Sequence, residues 1–126
     1  VEMKYIVIFL VSFSLSFSMI LDDKDFGKEV VAGKSTTKEY TLKNNSELKK
    51  EYFFFTDSVK VKVEPKGFKL KPFEERKFKI TVTDNIIGKH DYYLEIKEII
   101  REKPKGNFVN LNKFFRIKQH YKVKDR

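Results

Sequence analysis

Phe78-Lys79-Ile80-Thr81-Val82-Thr83 alternates apolar and polar residues without a break. In an extended chain successive side chains point to opposite faces, so Phe78, Ile80 and Val82 share one side and Lys79, Thr81 and Thr83 the other. The stretch predicts a strand with one face on a core and one in water. Val59-Lys60-Val61-Lys62-Val63-Glu64 repeats the pattern, as do Tyr92-Tyr93-Leu94-Glu95-Ile96-Lys97 and Phe115-Arg116-Ile117-Lys118. Tyr52-Phe53-Phe54-Phe55 is an unbroken aromatic run, which fits a strand buried on both sides or one with an apolar outer face.

Turn-forming residues separate these runs. Gly33 follows Val30-Val31, Asn44-Asn45-Ser46 follows Tyr40-Thr41-Leu42, and Pro65-Lys66-Gly67 follows Val63. Pro72, the Asn85 to Gly88 segment and Pro104-Lys105-Gly106 punctuate the rest. Ser46 to Glu51 reads as a single helical turn or a charged hairpin loop. Helical periodicity is otherwise nearly absent. Seven to eight short strands at even spacing predict an all-β chain, an antiparallel β-sandwich.

The chain has 126 residues, with 27 Lys and Arg against 18 Asp and Glu and a formal charge of +9. Thirteen Phe and six Tyr supply the material of a packed core. The absence of Cys excludes disulfides, thiolate nucleophiles and Cys-ligated metal. At the N-terminus, Lys4 precedes an apolar run from Tyr5 to Leu15, followed by Ser16-Phe17-Ser18. That layout predicts a signal peptide over 1–18 with cleavage before Met19, and hence a periplasmic or secreted domain over 19–126. The competing reading, a membrane anchor from Tyr5 to Leu21, is short and carries four Ser. Removing residues 1–18 takes away one Glu and one Lys, so the exported domain keeps its charge of +9.

Val61-Lys62-Val63-Glu64-Pro65-Lys66-Gly67-Phe68-Lys69-Leu70 is followed by Lys71-Pro72-Phe73 and the Phe78 strand. After these come Tyr93-Leu94-Glu95-Ile96-Lys97-Glu98-Ile99-Ile100 and a final strand containing Phe115-Arg116-Ile117-Lys118. This order resembles the N-terminal immunoglobulin-like domain of periplasmic pilus-assembly chaperones, the PapD-like domain, across nearly the whole exported chain. Its middle block is shared by major-sperm-protein-type and other bacterial immunoglobulin-like domains. The resemblance implies an immunoglobulin-like antiparallel sandwich that lends its last strand to an incomplete subunit of a surface fibre. It further implies that Lys118 anchors the subunit's C-terminal carboxylate. Val109, Leu111, Lys113 and Phe115 then lie two residues apart on the donor face, where Lys113 departs from the apolar pattern. The family's first-strand Arg is missing; Lys28 stands near its place and lacks the bidentate geometry of a guanidinium. The family's second domain is also missing from this sequence.

Other features point less far. Alternation alone also fits Val109, Leu111 and Phe115 as ordinary core residues. His90 and His120 read as surface residues without a carboxylate at ligand spacing. Asp22-Asp23-Lys24-Asp25 lacks the Gly and Glu positions of a calcium loop and reads as a flexible N-terminus. Asn44-Asn45-Ser46 is a formal glycosylation sequon. The basic residues are scattered over every strand, unlike a nucleic-acid patch. No nucleophile motif or phosphate loop occurs. The expectation is a non-enzyme with no cofactor and no metal. Its partner is a protein subunit of a surface fibre or envelope assembly, or an anionic surface. The alternative is a secreted, basic, immunoglobulin-like structural or adhesive module.

Overall fold

The alternating runs become strands on which every second side chain is buried. The computed structural model describes residues 19–101 and 112–126. These form β1 (Met19–Leu21), β2 (Glu29–Val31), β3 (Ser35–Asn44), β4 (Lys50–Thr56) and β5 (Val61–Glu64). The chain continues with β6 (Gly67–Leu70), β7 (Glu75–Thr83), β8 (Gly88–Ile100) and β9 (Lys113–Lys124). One sheet has the order β1-β3-β7-β5 and the other β2-β9-β8-β4-β6. Every pairing is antiparallel except that of β2 with β9. The predicted signal peptide over 1–18 lies outside the described residues.

The described residues contain nine strands where the sequence pattern predicts seven to eight. Part of the difference lies in the Val61–Leu70 block, where Gly67, read as part of the Pro65-Lys66-Gly67 turn, is the first residue of β6. Val61–Glu64 pairs with β7 in one sheet, and Gly67–Leu70 pairs with β4 in the other. The chain therefore crosses between layers at Pro65-Lys66. Gly67 permits the crossing, because a Cβ there would sit 2.5 Å from the Tyr52 carbonyl oxygen and 3.0 Å from the Phe53 ring. The predicted run from Val59 also shortens. Val59 is fully exposed in the turn before β5, so the alternation is structural only from Val61. Ser46 to Lys49 is loop, and β4 begins at Lys50.

The two inner faces meet in an aromatic core. Tyr40 stacks on Phe78 at 5.3 Å, Phe54 stacks on Phe78 at 4.3 Å, and Phe54 meets Phe68 edge-on at 5.4 Å. Leu42, Ile80, Val82, Leu94 and Ile96 fill the space between. Each such side chain stabilises the fold by about 1.5–3 kcal/mol relative to exposure. In the aromatic run, Tyr52 and Phe54 face this core, whereas Phe55 is half-exposed on the other side. The run is thus a strand with an apolar outer face.

Buried polar groups are paired rather than absent. Asn44 is fully buried, and its amide nitrogen donates to the carbonyls of Leu48, Lys71 and Leu70 at 2.8, 3.0 and 3.4 Å. That amide holds two loops together and is unavailable as a glycan acceptor in the folded domain. Gln119 bridges the layers: its amide nitrogen donates to the Lys24 carbonyl at 2.6 Å and to the Tyr40 hydroxyl at 3.4 Å, and its carbonyl accepts from Tyr92. The Asp22–Asp25 segment is accordingly tied down, not a loose N-terminus. Lys38 Nζ also donates to the Asp25 carbonyl at 2.6 Å.

Candidate functional site

The last strand has two different edges along its length. On one side β9 pairs with β8 from Lys113 to Val123. On the other side β2 pairs only with Lys122, Val123 and Lys124. One step further back, Gly27 N–H donates to the His120 carbonyl at 3.2 Å, and His120 N–H donates to Asp25 Oδ1 at 2.9 Å. Asp25 therefore ends the covered portion as a side-chain substitute for a further strand. Among the described residues no strand pairs with this edge of β9 from Lys113 to Lys118.

His120 shows which backbone groups face that edge. Both its N–H and its C=O point away from β8, and the direction alternates along a strand. The outward groups of the uncovered stretch therefore belong to Phe114, Arg116 and Lys118. Those of Phe115 and Ile117 point to β8. The uncovered stretch is a row of hydrogen-bonding groups of the kind that templates an added strand.

The side chains follow the same alternation. Phe115 and Ile117 lie on the inner face and pack partly buried against the core. Phe114, Arg116 and Lys118 lie on the outer face. Arg116 sits 3.8 Å over the Tyr93 ring and 3.4 Å from Glu95. Lys97 stands 5.5 Å from the centre of the Phe114 ring, which is 66% exposed. Val109 and Leu111 lie outside the described residues. Lys113 pairs across the strands with Glu98. Glu98 is the buried carboxylate that accepts from Lys50 at 3.2 Å and from the Tyr52 hydroxyl at 2.8 Å. A cation at position 113 thus faces a polar end of the sandwich, which accounts for its departure from an apolar donor series.

Lys118 and Lys28 come to the same end of β9 but are not brought into contact. Lys28 lines a depression of about 440 Å³ with Gly27, Lys89, His120 and Lys122. Lys118 is half-exposed, with its ammonium 3.8 Å from Asp91, a residue that lines that depression. The hydrogen bond from His120, supported by the charges of His120 and Lys118, holds the Asp91 carboxyl below its usual range. Lys118 is therefore placed beside one carboxylate already and remains open to a second.

Both histidines have acidic partners that sequence spacing did not reveal. His120 Nδ1 is 2.5 Å from Asp91, directly opposite on β8. His90 stacks on Tyr121 at 5.2 Å, with Nε2 2.6 Å from the Ile86 carbonyl and 3.7 Å from Asp84. Asp84 is buried and accepts from Tyr121 at 2.7 Å, from the Ile86 N–H at 2.9 Å and from Lys60 at 3.4 Å. Burial pushes this carboxyl up, but the Ile86 and Tyr121 donors with His90 and Lys60 hold it below its usual range. Among the described residues no three His, Asp or Glu side chains converge to hold a metal ion. Sequence reading took Asp25 only as part of a flexible acidic segment and passed over Gln119. Gln119 carried a signal, as the polar residue at an inward position of the Phe115, Ile117, Tyr121 series.

No protein-family model matches the sequence, and no curated protein matches it. Solved structures do. The PapD-like domain 7 of human CEP192, an ASH domain, superposes with a TM-score of 0.72 at 10% identity, over 89% of each chain. SSP-19 of Caenorhabditis elegans, described as like the MSP-domain family, gives 0.62 at 11% identity, over 81% of this chain and 97% of that one. A chain from the CsuC–CsuE chaperone–tip adhesion subunit pre-assembly complex of Acinetobacter baumannii Csu pili gives 0.64 at 12% identity. That match covers 86% of this chain and 58% of the other, so this chain spans little more than half of it. Likeness at these identities is one of fold: a PapD-like immunoglobulin-like sandwich, shared by pilus chaperones, MSP domains and an ASH domain.

Proposed function

We propose that this chain is an exported, non-catalytic chaperone-like domain that binds a protein subunit of a surface fibre or envelope assembly by strand addition along β9. The uncovered edge from Lys113 to Lys118 carries this reading. An extended segment laid against it would take main-chain hydrogen bonds from Phe114, Arg116 and Lys118. Lys118 supplies an ammonium for a subunit carboxylate at one end of that stretch, with Lys28 near it. Phe115 continues the two-residue series of Val109 and Leu111 at the other end. The structural likeness to a chaperone crystallised with its tip adhesion subunit supports the same reading. The assignment as a non-enzyme rests on the lack of a nucleophile motif, and the periplasmic or secreted location on the reading of residues 1–18 as a signal peptide.

The test is capture of partners from the native envelope at high salt by the tagged chain and by Arg116→Pro. Proline removes an N–H that faces the uncovered edge, not β8, so folding is retained. A stoichiometric subunit captured by the parent and lost in the variant is the expected result. Hydrogen exchange guards against a folding artefact. Without partner, the amides of Phe114, Arg116 and Lys118 exchange fast while those of Phe115 and Ile117 are protected. The complex slows the fast three. Capture only at low salt, with these amides unchanged, overturns strand addition in favour of a basic adhesive module.

A further inference from the structure

Three turns that carry the chain from one sheet to the other meet at one end of the sandwich. They are 32–34 between β2 and β3, 57–60 between β4 and β5, and 84–87 between β7 and β8. Asp84 ties them together. Its carbonyl accepts from the Gly33 N–H at 3.1 Å, and its carboxylate accepts from the Ile86 N–H at 2.9 Å and from Lys60 Nζ at 3.4 Å. The tips of two of these turns are aliphatic. Val59 is 100% exposed, Ile86 60% and Ile87 58%, and none belongs to the core. Turns favour polar residues and glycine, and two adjacent exposed isoleucines add nothing to the packing of the fold. A Cβ built on Gly88, beside Ile87, meets nothing within 4 Å, so this turn stands clear of the rest of the domain.

The backbone beneath the tips is held in place. The Ser58 carbonyl accepts from the Val61 N–H at 3.3 Å and from Thr56 Oγ1 at 3.1 Å, and Ser58 Oγ accepts from the Lys60 N–H at 3.2 Å. The Ile86 carbonyl lies 2.6 Å from His90 Nε2. The tips are therefore set before a partner arrives, and binding through them costs little ordering entropy. Exposed cations flank them: Lys34 follows Gly33, Lys89 follows Gly88, and Arg126 Nε donates to the Ala32 carbonyl at 3.3 Å. The acids at this end accept hydrogen bonds within the domain. Asp84 is buried, Asp57 accepts from the Tyr93 N–H at 2.8 Å, and Asp125 accepts from the Arg126 N–H at 2.8 Å.

We infer that these turns dock the domain on an anionic lipid bilayer, with Val59, Ile86 and Ile87 entering the headgroup boundary and Lys34, Lys89 and Arg126 set against the anionic headgroups. A fluid bilayer closes around protruding apolar tips, whereas a protein partner must offer a cavity for each. Apolar burial and attraction to anionic lipid add in interfacial binding, and the tips and cations at this end supply both. The site lies on the turns and does not depend on the function proposed for the edge of β9.

The experiment is sedimentation of the whole chain with vesicles of phosphatidylcholine alone and of phosphatidylcholine mixed with phosphatidylglycerol. Binding is expected only to the mixed vesicles. Ile86→Ser with Ile87→Ser weakens it by about tenfold or more without lowering the melting temperature, since both side chains are exposed. Lys34→Gln with Lys89→Gln weakens it by about tenfold, whereas Lys69→Gln with Lys79→Gln, an equal change of net charge away from the tips, leaves it unaltered. The sequence has no Trp, so a single introduced Trp reports one position. Ile87→Trp is expected to shift its emission to the blue on the mixed vesicles and to be quenched by brominated lipid. Phe73→Trp, exposed in the turn at the other end of β7, is expected to do neither. If the serine pair disturbs the fold, the Trp variants decide alone. Absence of binding to the mixed vesicles overturns the inference, and loss of envelope-protein capture in the serine pair would then assign the tips to a protein. Equal loss in both glutamine pairs, or equal Trp responses at 87 and 73, also overturns it in favour of diffuse attraction by net charge.

Discussion

The two halves of β9 share one alternating sequence and occupy two different environments. From His120 to Lys124 the edge of the strand away from β8 is covered, by Asp25 and Gly27 at His120 and by β2 at Lys122, Val123 and Lys124, and Gln119, Tyr121 and Val123 are buried. From Lys113 to Lys118 its only strand partner among the described residues is β8, and its inward residues Phe115 and Ile117 are only partly covered. Period-two patterning specifies which face of a strand is apolar; it says nothing about who occupies the edge. The covered half is therefore held along both edges, and the other half, among the described residues, along one.

The largest expected effect comes from breaking the covered half. Tyr121→Ala removes an edge contact with Phe26 at 6.5 Å, the stack on His90 and the donor to Asp84. A loss of about 3–5 kcal/mol is expected in denaturant unfolding. A loss comparable to that of an exposed substitution would mean that β2 does not seal this end.

Asp84→Asn probes the same half through its charge. The variant is expected to cost about 1–3 kcal/mol at pH 7, because donors set for a carboxylate lose their ionised acceptor. The parent's pH dependence follows from the lowered pKa of Asp84. A carboxyl with a folded pKa below its unfolded value, about 3.9, stabilises fully above that value. The contribution disappears as pH falls through the folded pKa. Unfolding curves from pH 6 to pH 2 should show this loss in the parent and a shallower one in Asp84→Asn. Identical slopes would remove Asp84 from the account.

Phe115→Ala tests the uncovered half and is expected to cost only about 1 kcal/mol, since the ring is half-covered. Its effect on partner capture should exceed its effect on melting. If it destabilises as much as Tyr121→Ala, Phe115 is ordinary core and the contrast between the halves fails. Lys118→Ala is the mildest change. It should leave the melting temperature unaltered, since an exposed pair contributes little, yet weaken capture of a carboxylate-bearing partner. Equal capture would leave strand addition without its charged anchor.

Much of the sandwich was legible because strand faces are a local property. Phe78, Ile80 and Val82 alternate in sequence and are buried in the fold. The break in the Val61–Leu70 block at Pro65-Lys66-Gly67 was legible, but not that its two sides join different sheets. Its crossing depends on the approach of Gly67 to the Tyr52 carbonyl, a contact between chain segments. Lys28 and Lys118 were named from the strand pattern and the resemblance, and their role at the β9 edge is the reading proposed above. Asp25 was not, because its role as an edge cap exists only when His120 lies beside it. The acidic partners of the histidines stayed hidden for the same reason: Asp91 and His120 are 29 residues apart.

By itself the sequence determined the all-β character, the positive charge and the apolar face of the alternating strands. These follow from backbone period and side-chain chemistry over a few residues. Tertiary structure alone decided which strands pair, which edge of β9 remains uncovered and which turns meet at Asp84. Those outcomes rest on contacts such as Gln119 with the Lys24 carbonyl, 95 residues apart, and no local period encodes the partner of so distant a group.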